Sequence, residues 1–229
     1  MREREATDAT DGAAAQALAA EYGLLMSALS AAWSASLVRT SLFLGVLSAA
    51  GVALGFVAQG GVGTDDFRTF ALVVLPLVLF LGVATFIRLV QIQRESIVYI
   101  TGLNRIRLFF GQRAPAARQF FVLPAHDDFE ALYRSPGAGM SRRPPRFRLL
   151  YLVVQTQGIV GVMTAVVAGA FAGLAAAGFG PTAAWLAAVA AFSLNIAALF
   201  VYWQRSLVEL QVSIKPLSPT PPEEIGAPF

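Results

Sequence analysis

Four long apolar stretches, residues 41–58, 69–87, 149–177 and 183–202, alternate with mixed or polar segments along the chain. At 1.5 Å per residue each is long enough to cross a hydrocarbon core of about 30 Å once flanking side chains reach the headgroups. The first two are joined by 59–68, a turn with three glycines and Asp65-Asp66, and the last two by the uncharged turn 178–182. Between the pairs lies 88–148, the only long polar segment. This pattern predicts an all-α integral membrane protein with four transmembrane helices in two hairpins, a cytoplasmic helical insert and an N-terminal cytoplasmic helix. The expected divisions are a disordered tail 1–11, an amphipathic helix 12–40, a first hairpin 41–87, the insert 88–148, a second hairpin 149–204 and a cytoplasmic proline-rich tail 205–229. The first apolar stretch begins too late for a signal peptide, and Arg39 stands at its entrance.

Finer periodicity divides the polar segments. Leu18, Tyr22, Leu25, Leu29 and Trp33 recur on one helical face, and Ala19, Gly23, Ser27, Ser30 and Ser34 form the opposite, small face. A helix lying on a membrane surface usually carries Lys or Arg on its polar side. This one carries only Glu21 before Arg39, so it is expected to pack against protein. Beyond Arg88 the helical rhythm continues through Ile92, Ser96, Tyr99, Leu103, Ile106 and Phe110, a heptad-like seam. Val98 and Leu108 fall off it, which implies burial on more than one side. The second span and this extension form one helix that Gly111 and Pro115 end, with a kink expected at Pro76. The two seams are expected to pack antiparallel as a cytoplasmic stalk.

A short helix is expected at 116–121, then a second one beginning in His126-Asp127-Asp128-Phe129-Glu130. Asp127 at the N-cap with Glu130 three residues on makes a capping box. His126 beside these carboxylates also resembles part of a metal site, but three or four converging ligands are needed and the neighbourhood supplies no more. Residues 135–145 form a Gly-, Pro- and Ser-rich loop. Val208, Leu210, Val212 and Ile214 alternate with polar residues, a strand pattern, and from Lys215 the proline-rich tail is extended.

Charge fixes the expected orientation. The segment 88–148 holds eleven arginines, against Arg68 alone in the two short turns. The positive-inside rule places that segment, and with four spans both termini, in the cytoplasm of a bacterial-type inner membrane. Arg142, Arg143, Arg146 and Arg148 crowd the third span and suit anionic lipid headgroups. The composition agrees: 56% hydrophobic, 14% charged, mean hydropathy +0.64. With no cysteine there is neither disulfide nor thiolate chemistry, and nucleic acid is not an expected partner.

The spans carry no ionisable residue between their ends, which argues against a proton-coupled carrier. One histidine cannot supply paired haem ligands, and no phosphate loop or hydrolase motif is present. No cofactor, metal or enzymatic activity is therefore expected. Gly161, Ala165, Gly169 and Gly173 repeat every four residues, Gly51 and Gly55 form a second small pair, and Asn195 is the deepest sizeable polar group. These are expected to pack helices together. A homo-oligomeric channel, with a possible anion preference from the arginines, is the leading expectation. A non-catalytic accessory subunit of a larger membrane complex is the second, and a membrane enzyme or lipid-handling protein the third.

Overall fold

The computed structural model describes residues 2–61, 64–135, 138 and 153–222. It is helical, with no strand among the described residues. The elements are α1 (Arg2–Ala58), α2 (Asp65–Arg113), α3 (Pro115–Arg118), α4 (Phe129–Arg134), α5 (Thr156–Ala176), a 3₁₀ turn at Ala177–Phe179, and α6 (Pro181–Ser213). Four helices, α1, α2, α5 with its 3₁₀ extension, and α6, are long and apolar enough to cross a membrane. The chain is a multi-pass membrane protein on that ground.

Two differences from the sequence pattern have clear causes. The N-terminal amphipathic helix and the first span are one helix: the polar run 39–41 stays helical, and Thr40 turns its hydroxyl back onto the Ser36 carbonyl, 2.9 Å away, so that it does not compete for a chain end. The strand expected at 207–214 is instead the end of α6, which runs to Ser213. There Trp203, Ser206 and Leu210 are buried, while Val208 and Val212 are exposed. The sheltered positions step by three and four, so helical packing overrides the local alternation.

The chain forms two compact units, and α1, α2 and α6 contribute residues to both. The first comprises 1–34, 92–143 and 209–229. Here α1 meets α2 in antiparallel order: Asp11 pairs with Arg113, Tyr22 with Arg107, and Leu25 packs on Gly102. On α1, Leu18, Tyr22, Leu25, Leu29 and Ala32 are sheltered, whereas Trp33 remains 44% exposed. The period is thus nearer 3.5 residues than the Leu18–Trp33 pattern implied. On α2, Ile92, Leu103 and Ile106 are buried, and Tyr99 and Phe110 are partly so. A second face, Gln93, Ile97, Ile100, Thr101 and Asn104, is buried as well.

The second unit comprises 35–91 and 144–208. Its apolar core joins Phe43, Val78, Phe86, Leu89, Val90, Val160, Val167, Leu199 and Trp203. Gly82 sits where α1, α2 and α5 meet: a Cβ there would lie 2.5 Å from Thr164 Oγ1 and 3.0 Å from Phe43 Cε2. Thr64 accepts the Phe67 amide at the start of α2, and Asp65 and Asp66 occupy its first turn, where carboxylates favour the helix dipole. Arg68 donates to the Ala175 carbonyl near the end of α5, a cation satisfying a terminal carbonyl.

Candidate functional site

The densest polar constellation lies in the first unit, around His126-Asp127-Asp128. Helix α2 presents Asn104, Arg105 and Arg107 to it. Asn104 is fully buried; its side-chain amide donates to the His126 carbonyl at 2.9 Å, and its Oδ1 accepts from Arg107 Nη1 at 2.7 Å. Arg107 also donates to the Tyr22 hydroxyl at 3.2 Å and stands over that ring. This fixes the loop at His126 against α2 and seats α1 beside it.

Asp127 is fully buried, and its carboxylate is the hub. Oδ2 accepts from Arg105 Nε at 2.7 Å and from the Leu217 amide at 2.8 Å, and Oδ1 accepts from the Ser218 amide at 2.8 Å. Arg105 reaches on to the Lys215 carbonyl at 2.9 Å. The N-cap of α4 is Asp128, not Asp127: its Oδ1 accepts the Ala131 amide at 3.0 Å. The same side chain takes the Thr220 amide and the Thr220 hydroxyl, each at 2.7 Å. The expected capping box is therefore not formed: the cap moves to Asp128, whose third helical residue is Ala131, while Asp127 is taken by the amides at 217 and 218. Glu130 pairs with Arg134 at 3.7 Å instead of reaching back to the cap, and His126 Nδ1 lies 3.2 Å from Ser218 Oγ.

Burial raises the Asp127 carboxyl, but the Leu217 and Ser218 amides and Arg105 outweigh it and hold the group below its ordinary value of 3.8. The native state binds this proton less readily than the unfolded chain. The stabilisation is thus complete above the ordinary carboxylate range and is lost as pH falls through the depressed value. Acid titration followed by amide exchange at Leu217 and Ser218 should show protection lost below the ordinary Asp range. In the Asp127→Asn variant that acid-dependent step should be missing.

Among the described residues no group of three or more His, Asp or Glu side chains is placed to hold a metal ion. The carboxylates face backbone amides, which is chemistry for gripping a peptide chain.

The small residues singled out along the spans separate into two sets. Gly161 lies against Phe86 and Leu199, Ala165 is fully buried, Gly169 approaches the Ala188 carbonyl, and Gly173 approaches Ala188 Cβ and the Ala184 carbonyl. Gly51 and Gly55 face open space within one chain. Asn195 is half-buried, and its Oδ1 is enclosed with no partner among the described residues. Arg142, Arg143, Arg146 and Arg148 lie outside the described residues. The sequence reading missed Gly82, which repeats with no neighbour in its span, and the tail segment 215–220 as the occupant of the acidic pair. The run of prolines was the available signal for the latter. An apolar groove of about 310 Å³ between α5 and α6 is lined by Phe86, Gly158, Gly161, Leu199 and Trp203 among others, with little polar surface.

No family model, curated protein or solved structure matches this chain.

Proposed function

We propose that the chain is a protomer of a homo-oligomeric membrane channel, with 88–148 and both termini on the cytoplasmic side and its spans arranged as two hairpins. The orientation rests on the arginine distribution, eleven in 88–148 against Arg68 in the turns. One observation carries the channel reading. Only 6% of the most apolar stretch of α1 is buried in the chain, compared with 33% for α2 and 39% for α5. The uncovered side of α1 is not uniformly greasy. Within the span Ser41, Gly45, Ser48 and Gly55 fall on the face opposite its intrachain contacts and are exposed. Hydroxyls and backbone are what a pore without intramembrane charge is lined with, and arginines at its mouth favour anions.

The accessory-subunit reading draws on α6, of which also only 6% of the apolar stretch is buried. Counting copies separates the two. A channel, purified alone into nanodiscs, gives a closed ring of defined copy number. A monomer contradicts the channel and favours the accessory role.

Gly51 and Gly55 supply a linked prediction. Because none of the described residues lies within 4 Å of a Cβ at either, replacing both with leucine should leave the melting temperature of the dispersed chain almost unchanged. The same pair should abolish the ring, read by native mass measurement, since small residues permit close helix approach.

A further inference from the structure

Residues 216–222 read Pro-Leu-Ser-Pro-Thr-Pro-Pro, so only Leu217, Ser218 and Thr220 possess an amide hydrogen. All three are taken by carboxylates: Leu217 and Ser218 by the two oxygens of Asp127, and Thr220 by Asp128. The hydroxyls are read as well, Thr220 by Asp128 and Ser218 by His126, and Arg105 holds the Lys215 carbonyl. The backbone of the segment is thus recognised at each point where its prolines leave a donor. The apolar contribution is small, because Leu217 is 73% exposed and Pro221 and Pro222 are exposed. A segment held by directional polar contacts, with the polar Thr220 its only buried side chain and no apolar one buried, is a bound ligand more than a structural member.

We propose that Arg105, His126, Asp127 and Asp128 form a recognition site for a bent, proline-punctuated peptide, which this chain fills with its own residues 215–220 as a releasable strap. Specificity lies in amide spacing: two successive N–H groups for Asp127, a proline, then one N–H and a hydroxyl for Asp128. A proline at 217 or 220 deletes a donor and leaves the site itself intact. Release frees the end of α6 from Arg105 and from the loop that α2 holds through Asn104, all within the first unit. The proposal is independent of the channel reading.

The chain has no cysteine, so Pro222→Cys gives a single attachment point for a nitroxide on the full-length protein in detergent. The expected spectrum is motionally restricted. A synthetic peptide copying residues 214–222, added above the millimolar effective concentration of the tether, should convert most of the label to the mobile form. A control peptide with proline at the positions of Leu217 and Thr220 should leave it restricted. In the labelled chain, Leu217→Pro with Thr220→Pro should mobilise the strap with the acidic pair untouched, and Asp127→Asn with Asp128→Asn should do so from the other side. A label already mobile in the parent, a label indifferent to the copied peptide, or one still restricted in the Leu217→Pro, Thr220→Pro variant overturns the proposal.

Discussion

Replacing Gly82 with alanine will destabilise the membrane unit, although alanine is the better helix former by about 1 kcal/mol. The added methyl group would sit 2.5 Å from Thr164 Oγ1 and 3.0 Å from Phe43 Cε2. Neither neighbour can step aside easily. Thr164 is fully buried with its hydroxyl donated to the Val160 carbonyl at 2.7 Å, and Phe43 is 1% exposed in the core. Overpacking of this kind costs about 1–3 kcal/mol, enough to exceed the propensity gain. Thermal unfolding in detergent checks it. Thr164→Ala removes both Oγ1 and Cγ2, which would lie 2.5 and 3.1 Å from the new methyl, so the double variant Gly82→Ala, Thr164→Ala should recover much of the loss and leave only the Phe43 contact. A coupling of about 1 kcal/mol or more between the two sites is expected, as for residues in direct contact. Strict additivity would mean that the three helices do not converge at Gly82.

The second large effect is at Asn104. Both ends of this buried amide are used, one toward the His126 carbonyl and one toward Arg107. Asn104→Leu preserves the approximate volume but strands a carbonyl and removes one anchor of a guanidinium. The expected loss is about 2–4 kcal/mol, the range for leaving buried partners unsatisfied, including one charged partner. The loop should respond before α2 does, because Ile97, Ile100 and Leu103 keep α2 buried on its other positions. Hydrogen exchange should therefore quicken first around His126 and the N-terminus of α4. Asn104→Asp is the sharper variant. It keeps an acceptor for Arg107 and sets a carboxylate against the His126 carbonyl, so it should fail chiefly at the loop contact.

Much of the helical content was legible in the hydrophobic pattern, because apolar runs and a 3.6-residue rhythm are local signals. The long α2 shows this well: Ile92, Leu103 and Ile106 announced a seam in sequence and are buried in the structure. Local signals failed where distant contacts decide. The polar run Arg39-Thr40-Ser41 suggested a boundary within α1, yet the helix runs through it without interruption. Val208, Leu210 and Val212 alternate as a strand would, yet they continue a helix already nucleated over more than twenty preceding residues. Asp127 and Asp128 are adjacent and chemically alike, so sequence cannot choose the cap between them. The choice is made by Leu217 and Ser218, some ninety positions away. Gly82 is a lone glycine in a leucine-rich run, and its importance comes from Phe43 and Thr164, on two other helices. The tail was expected to be extended, whereas it bends at Leu217 and Ser218, and its partner was invisible because amide-to-carboxylate pairing leaves no periodic trace.

The small-residue faces were legible as faces but not as destinations. Gly169 and Gly173 meet α6 within the chain, whereas Gly51 and Gly55 meet nothing among the described residues. That contrast is what gives the oligomeric reading its content, since a bare glycine pair beside exposed serines suits the approach of another helix or the lining of a pore.

The most direct test of that reading is electrical. The purified chain, reconstituted by itself in planar bilayers, should give discrete unitary currents. Because the chain lacks cysteine, Ser41→Cys and Ser48→Cys each create one reactive site on the exposed face of α1. A charged thiol reagent should reduce the current through both variants and leave the parent untouched. Silent bilayers from a preparation that inserts and folds, or currents indifferent to the reagent at both positions, would contradict a pore lined by α1.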